Sequence, residues 1–214
     1  MKRGIVIGFA AGSVILAGAA AAALLIGTST PSGTGGFEAP SSGPYRGSEP
    51  PGINKLPAFA LPRYDGGGVV RSQDLRGHVL VATFVDSACR ASCPIILGVL
   101  GRALRQLSRT EHGQVIAFAI SVDPRVDTPI HVRQFLTERG ALGELDYLVA
   151  PVGRMKPVWK RFHVLSAAQT GNADLHSADV RIFDRNGLWV STLNAGADLS
   201  VPNVVHDIRQ AMRG

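Results

Sequence analysis

The 214 residues suffice for one domain of ordinary size plus extras, and the 45 % apolar content is that of a globular core. Twenty-two basic against sixteen acidic residues give a net charge of +6, but the basic residues are scattered and form no recognition motif, so no nucleic-acid partner is expected. Two cysteines in all exclude an ordinary iron–sulfur cluster, which needs four.

Lys2 and Arg3 precede an uncharged run, residues 4–27, in which Ser13 is the one polar side chain. As a helix this run is about 36 Å long, enough to cross a bilayer and longer than the roughly 7–15 apolar residues of a cleaved leader. Residues 1–27 are therefore expected to be an uncleaved transmembrane anchor. The two basic residues keep its start in the cytoplasm and send the rest of the chain to the extracytoplasmic side. No cysteine lies near residue 20, which excludes a lipoprotein anchor. Residues 28–54 are rich in Pro, Gly and Ser, show no apolar periodicity, and read as a flexible tether.

The domain is expected over 55–214. Its first element is a short hairpin around Gly66, Gly67 and Gly68. Residues 78–85, "HVLVATFV", form a nearly continuous apolar run and predict a buried central strand. Residues 94–109 predict a helix, with Ile96, Leu100, Leu104 and Leu107 on one face and Pro94 in its first turn. A second buried strand follows at 115–123, then a helix that Asp127 or Thr128 can cap. A short extended piece precedes a helix over 152–162, expected to be interrupted at Pro157. Residues 179–193 alternate on either side of Asn186-Gly187 and predict a hairpin, and a helix from Val201 closes the chain. Strands alternating with helices imply an α/β fold, a mixed sheet with helices on both faces.

Both cysteines fall in "DSACRASCP", residues 86–94, between the first buried strand and its helix. A helix N-terminus favours an anion, and Arg90 follows Cys89, so both effects push a thiol toward the reactive thiolate. Cys89 and Cys93, four apart on an entry turn, face each other closely enough to grip one metal, and modest adjustment permits a disulfide. A passive bridge over so short a loop would remove little chain entropy. A redox pair usually has two intervening residues rather than three. A metal needs at least one more ligand, and sulfur with imidazole suits Cu(I) or zinc. Six histidines are available: His78, His112, His131, His163, His176 and His206. Spacing does not choose among them, although His176 occupies a polar loop just before the second hairpin, a common place for a ligand.

"FVDSACRASCP", "ISVDPRVDTP" and "DLHSADVRIFDRNG" occur in the order and at the intervals of the Sco/SenC family, and the chain resembles that family over about 55–214. The resemblance implies a thioredoxin-like fold behind one N-terminal transmembrane helix. It also implies a copper ion held by Cys89, Cys93 and His176, and a disulfide Cys89–Cys93 in an oxidised form. The implied role is that of a metallochaperone rather than an enzyme, delivering copper to a recipient subunit of cytochrome c oxidase. The alternative is a thiol–disulfide oxidoreductase using the same two cysteines without metal. The family usually has Pro and then an acidic residue after the first cysteine, where this chain has Arg90 and Ala91. It commonly has aromatic and Thr residues before that cysteine, where this chain has Asp86, Ser87 and Ala88.

Overall fold

A computed structural model describes residues 43–50, 52 and 54–214. The expected anchor, 1–27, and most of the expected tether, 28–54, lie outside these residues. Among the described residues no helix is long and apolar enough to cross a membrane.

The elements in chain order are β1 (Ala60–Pro62), β2 (Val69–Arg71), a 3₁₀ turn (Ser72–Leu75), β3 (Val79–Val85), α1 (Cys93–Arg105), α2 (Arg109–His112), β4 (Val115–Ser121), α3 (Pro129–Glu138), β5 (Asp146–Leu148), α4 (Val152–Phe162), α5 (Ala167–Thr170), β6 (Asp179–Phe183), β7 (Trp189–Asn194) and α6 (Val201–Ala211). Five strands make one mixed sheet in the order β5-β4-β3-β6-β7. The β5–β4–β3 half is parallel, and β6 and β7 return antiparallel. β3 is central and buried along all seven residues, because successive side chains point to opposite faces and both faces are covered. Val79, Val81 and Val85 join α1, α3 and α6 on one face. Leu80, Ala82 and Phe84 join α4 and the β1–β2 hairpin on the other. The expected mixed sheet with helices on both faces is what forms.

Three elements differ from expectation. The helix expected over 94–109 stops at Arg105, because Ser108 and Glu111 form a capping box that starts α2 instead. Thr128 alone caps α3, its hydroxyl accepting the His131 N–H, while Asp127 turns inward. α4 runs unbroken through Pro157. Pro inside a helix costs about 3 kcal/mol. Met155, Val158, Trp159 and Phe162 on this helix are all buried, at roughly 1.5–3 kcal/mol each, and they outweigh that cost.

Residues 45–48, within the stretch expected as tether, are joined to the domain. The Arg46 and Gly47 N–H groups donate to the buried Asp207 carboxylate of α6 at 2.7 and 2.9 Å, and Ser48 pairs with Thr192 of β7. Asp207 also accepts from the Ser191 hydroxyl at 2.6 Å. A buried carboxylate must find donors, and this segment supplies two of them. Gly47 is required there: a Cβ would lie 2.3 Å from the Ser191 hydroxyl oxygen.

Candidate metal centre

The site lies at the C-terminal ends of the parallel strands β3 and β4, where open α/β sheets leave a crevice. Asp86 follows the last residue of β3, and its side chain is fully buried. Its Oδ1 accepts the N–H groups of Ala88 at 2.9 Å and Cys89 at 2.7 Å, which turns the chain back toward the sheet. Asp127, from the loop after β4, accepts the Ser87 N–H at 2.7 Å. Its other oxygen takes the Ser121 and Tyr147 hydroxyls at 2.5 and 2.7 Å. Asp174, from the loop before β6, accepts the Arg90 and Ala91 N–H groups at 3.0 and 3.2 Å. Three carboxylates thus hold the backbone of the cysteine loop from three directions.

Cys93 is the first residue of α1, and its N–H points at the Cys89 sulfur, 3.4 Å away. His176 Nε2 lies 3.3 Å from Cys93 Sγ. The two sulfurs and one ring nitrogen all lie within 4.8 Å of one another. The other ring nitrogen, Nδ1, is 2.7 Å from the Ser177 carbonyl and donates to it, which leaves the Nε2 lone pair facing the sulfurs. Leu165 and Ser177 exchange hydrogen bonds, the Leu165 N–H to the Ser177 hydroxyl and the Ser177 N–H to the Leu165 carbonyl. This clamp positions His176, whose side chain is 1 % exposed.

Both cysteines are buried free thiols, and their protonation is unequal. The Cys93 thiol donates toward Cys89; with further help from His176 and nearby N–H groups, this overcomes desolvation and pulls the Cys89 pKa down to about 4. Burial pushes Cys93 far above the usual thiol range, reinforced by its bond to Cys89. The helix N-terminus was the sequence argument for an activated thiol, yet the residue seated on it, Cys93, is the protonated one. Full burial removes more solvation than the first helical turn restores. For His176, burial opposes the charge, but hydrogen bonding to Cys89 and Ser177 outweighs it and the pKa is raised. Burial and hydrogen bonding thus make Cys89 the more acidic thiol of the pair and Cys93 the less acidic one.

The other five histidines lie elsewhere. His163 ends α4 in the left-handed conformation and lines a cavity with Lys55, Arg161 and Trp189. His206 bonds to Asp207, and His112 faces Glu144 at 4.0 Å on the surface. His78 lies just before β3. His131 lines a groove of about 490 Å³ that runs past Cys89, with Arg90, Pro94, Gln134 and Arg139. The larger cleft, about 610 Å³ between the β1–β2 hairpin and β5, contains neither cysteine and is unrelated to this chemistry. Sequence reading missed the roles of Asp86, Asp127 and Asp174. The signal for Asp127 was its place in "ISVDPRVDTP", but spacing suggested a helix cap. For Asp86 and Asp174 no local signal existed, since each acts on backbone groups that only the folded loops bring near.

A family model described as SCO1/SenC matches residues 51–213. The chain is 24 % identical over 149 residues to a SCO2-like protein of Rickettsia typhi, covering 67 % of this chain and 71 % of that one. In fold it is similar to Bradyrhizobium japonicum ScoI with copper bound, with a TM-score of 0.62, 23 % identity, and coverage of 74 % of this chain and all of the other. It is similar also to BsSco, a member of the Sco family of cytochrome c oxidase assembly proteins in which a disulfide switch has been identified. There the TM-score is 0.62, identity 20 %, and coverage 76 % of this chain and 96 % of the other. These structural likenesses carry the fold, which is thioredoxin-like, as expected.

Proposed function

The chain belongs to the SCO1/SenC family, and from that premise we propose that it binds one copper ion through Cys89, Cys93 and His176 and delivers it to a subunit of cytochrome c oxidase during assembly of the binuclear copper centre. The observation that carries this reading is the meeting of two sulfurs and one imidazole nitrogen within 4.8 Å. Soft thiolates with one imidazole suit Cu(I), and three ligands leave an approach for a receiving ligand. Copper is cargo here, so a site that both holds and releases is required. The groove past Cys89 is the route by which a receiving chain reaches the Cys89 side of the site. Similarity to a copper-bound ScoI and to an assembly protein of the oxidase supports the same reading. We extend it to the topology: residues 1–27 hold the protein in the membrane as a single span, with the domain on the extracytoplasmic side.

The test is copper titration of the reduced protein against a competing chelator. One Cu(I) per chain is expected, with tight binding lost on oxidation of the cysteines and regained with reductant. Equal Cu(I) affinity in both states refutes a two-thiolate site. A second reading, thiol–disulfide exchange, is favoured by one observation: Cys89 is held as thiolate beside a protonated Cys93, the asymmetry an attacking and a resolving thiol require. Reduction of a disulfide substrate by the copper-free protein would support it.

A further inference from the structure

Asp86 Oδ2 is buried and finds no hydrogen-bond partner among the described residues. Such an atom is rare in a folded protein and calls for a reason. Its sister oxygen shapes the cysteine loop, so loop geometry explains half of this carboxylate and not the other half. The orphan oxygen points to the metal centre: it lies 3.7 Å from His176 Nε2, the same atom that stands 3.3 Å from Cys93 Sγ. The family commonly has aromatic and Thr residues ahead of the first cysteine, where this chain has Asp86, Ser87 and Ala88. Among the described residues no lysine or arginine forms an ion pair with it, and its neighbours of like charge are Asp127 and the Cys89 thiolate.

We propose that Asp86 sets the preference of this site between the two oxidation states of copper, its buried carboxylate favouring Cu(II) over Cu(I). The inference rests on the copper reading above. Two thiolates and a neutral imidazole leave a net charge of about −1 around Cu(I) and about zero around Cu(II). A carboxylate beside them adds one more negative charge in a region shielded from water. Its attraction to the metal is twice as large for the divalent ion, and low-dielectric surroundings preserve that difference. Oxygen donors also suit the harder ion, whereas thiolate suits Cu(I). A neutral apolar residue at this place would supply neither term.

The experiment compares the full-length reduced protein with Asp86→Asn at pH 8, measuring Cu(I) and Cu(II) dissociation constants separately by chelator competition. Asparagine keeps an acceptor for the Ala88 and Cys89 N–H groups and removes the charge together with the second carboxylate oxygen. Cu(II) affinity should fall at least tenfold relative to Cu(I) affinity. The midpoint potential of the bound couple should rise by about 59 mV for each tenfold change in that ratio. Asp86→Ser, which also retains an acceptor, should shift the ratio in the same direction and decides the question if the asparagine variant does not fold. Equal losses of both affinities, the mark of a merely structural role, or an unchanged ratio, overturn the proposal while leaving the copper reading intact. Failure of the parent protein to bind copper in either state overturns both.

Discussion

Replacing Asp86 by asparagine should stabilise the reduced, copper-free protein at neutral pH and leave it almost unchanged in acid. Burial, with repulsion from Asp127, pushes the Asp86 pKa from 3.8 to about 6, against the smaller help of the Ala88 N–H. Between those values the native state binds the proton and the unfolded chain does not, so stability falls as pH rises through this window. The gap corresponds to about 3 kcal/mol, fully lost above pH ~7 and absent below pH ~4. Asparagine carries no charge to desolvate and keeps the loop-shaping acceptor, so it escapes the loss. The assay is equilibrium urea unfolding of both proteins at several pH values from 4 to 7.5. With a slope of about 2 kcal/mol per molar urea, the two midpoints should coincide near pH 4 and differ by about 1.5 M at pH 7.5. A difference that is the same at every pH would refute the reasoning, because it would place the effect in packing rather than in the buried charge. A stability cost of this size at a site facing the proposed ligands is also what a functional carboxylate would carry.

His176→Ala should weaken copper binding at least ~100-fold in chelator competition and, because a buried ring and its hydrogen bond to the Ser177 carbonyl are lost, should also destabilise the fold by about 1–3 kcal/mol. His163→Gly should leave affinity at the parent value and raise the midpoint by a few degrees, since the residue sits at φ 53° and a side chain in the left-handed region costs about 1–2 kcal/mol. Asp127→Ala strands the buried donors of Ser87, Ser121 and Tyr147 and should cost about 3 kcal/mol in urea unfolding while accelerating alkylation of Cys89; Asp127→Asn, which keeps an acceptor, should cost about 1 kcal/mol. Mass spectrometry of the membrane-extracted protein should find residues 2–27 attached, and a mature N-terminus between 21 and 30 would refute the anchor.

The central architecture was legible because it follows from local rules. Apolar β-branched runs at 79–85 and 115–121 become strands wherever both faces can be covered. Asn186-Gly187 closes the β6–β7 hairpin, and Gly187 takes the positive φ that such a turn demands. The two cysteines were legible as a site because chain order alone puts them at a strand–helix junction. Pro157 misled because its penalty is local, whereas the buried face that overrides it belongs to the packing of α4 on the sheet.

What the tertiary structure decided is the rest of the site. His176 stands 83 residues from Cys93, and nothing within either segment reports on the other. They meet because β6 returns antiparallel beside β3, which brings the loop before β6 to the same sheet end as the cysteine loop. The unequal thiols are likewise a product of burial: local sequence offers the helix N-terminus to Cys93, and the surrounding core withdraws the solvent its thiolate would need. Residues 45–48 have a linker's composition, yet they pair with Asp207 and β7, because a carboxylate buried by α6 must be satisfied by whatever backbone passes near. Sequence specifies which groups are available. Desolvation and long-range pairing determine which of them meet and with what charge.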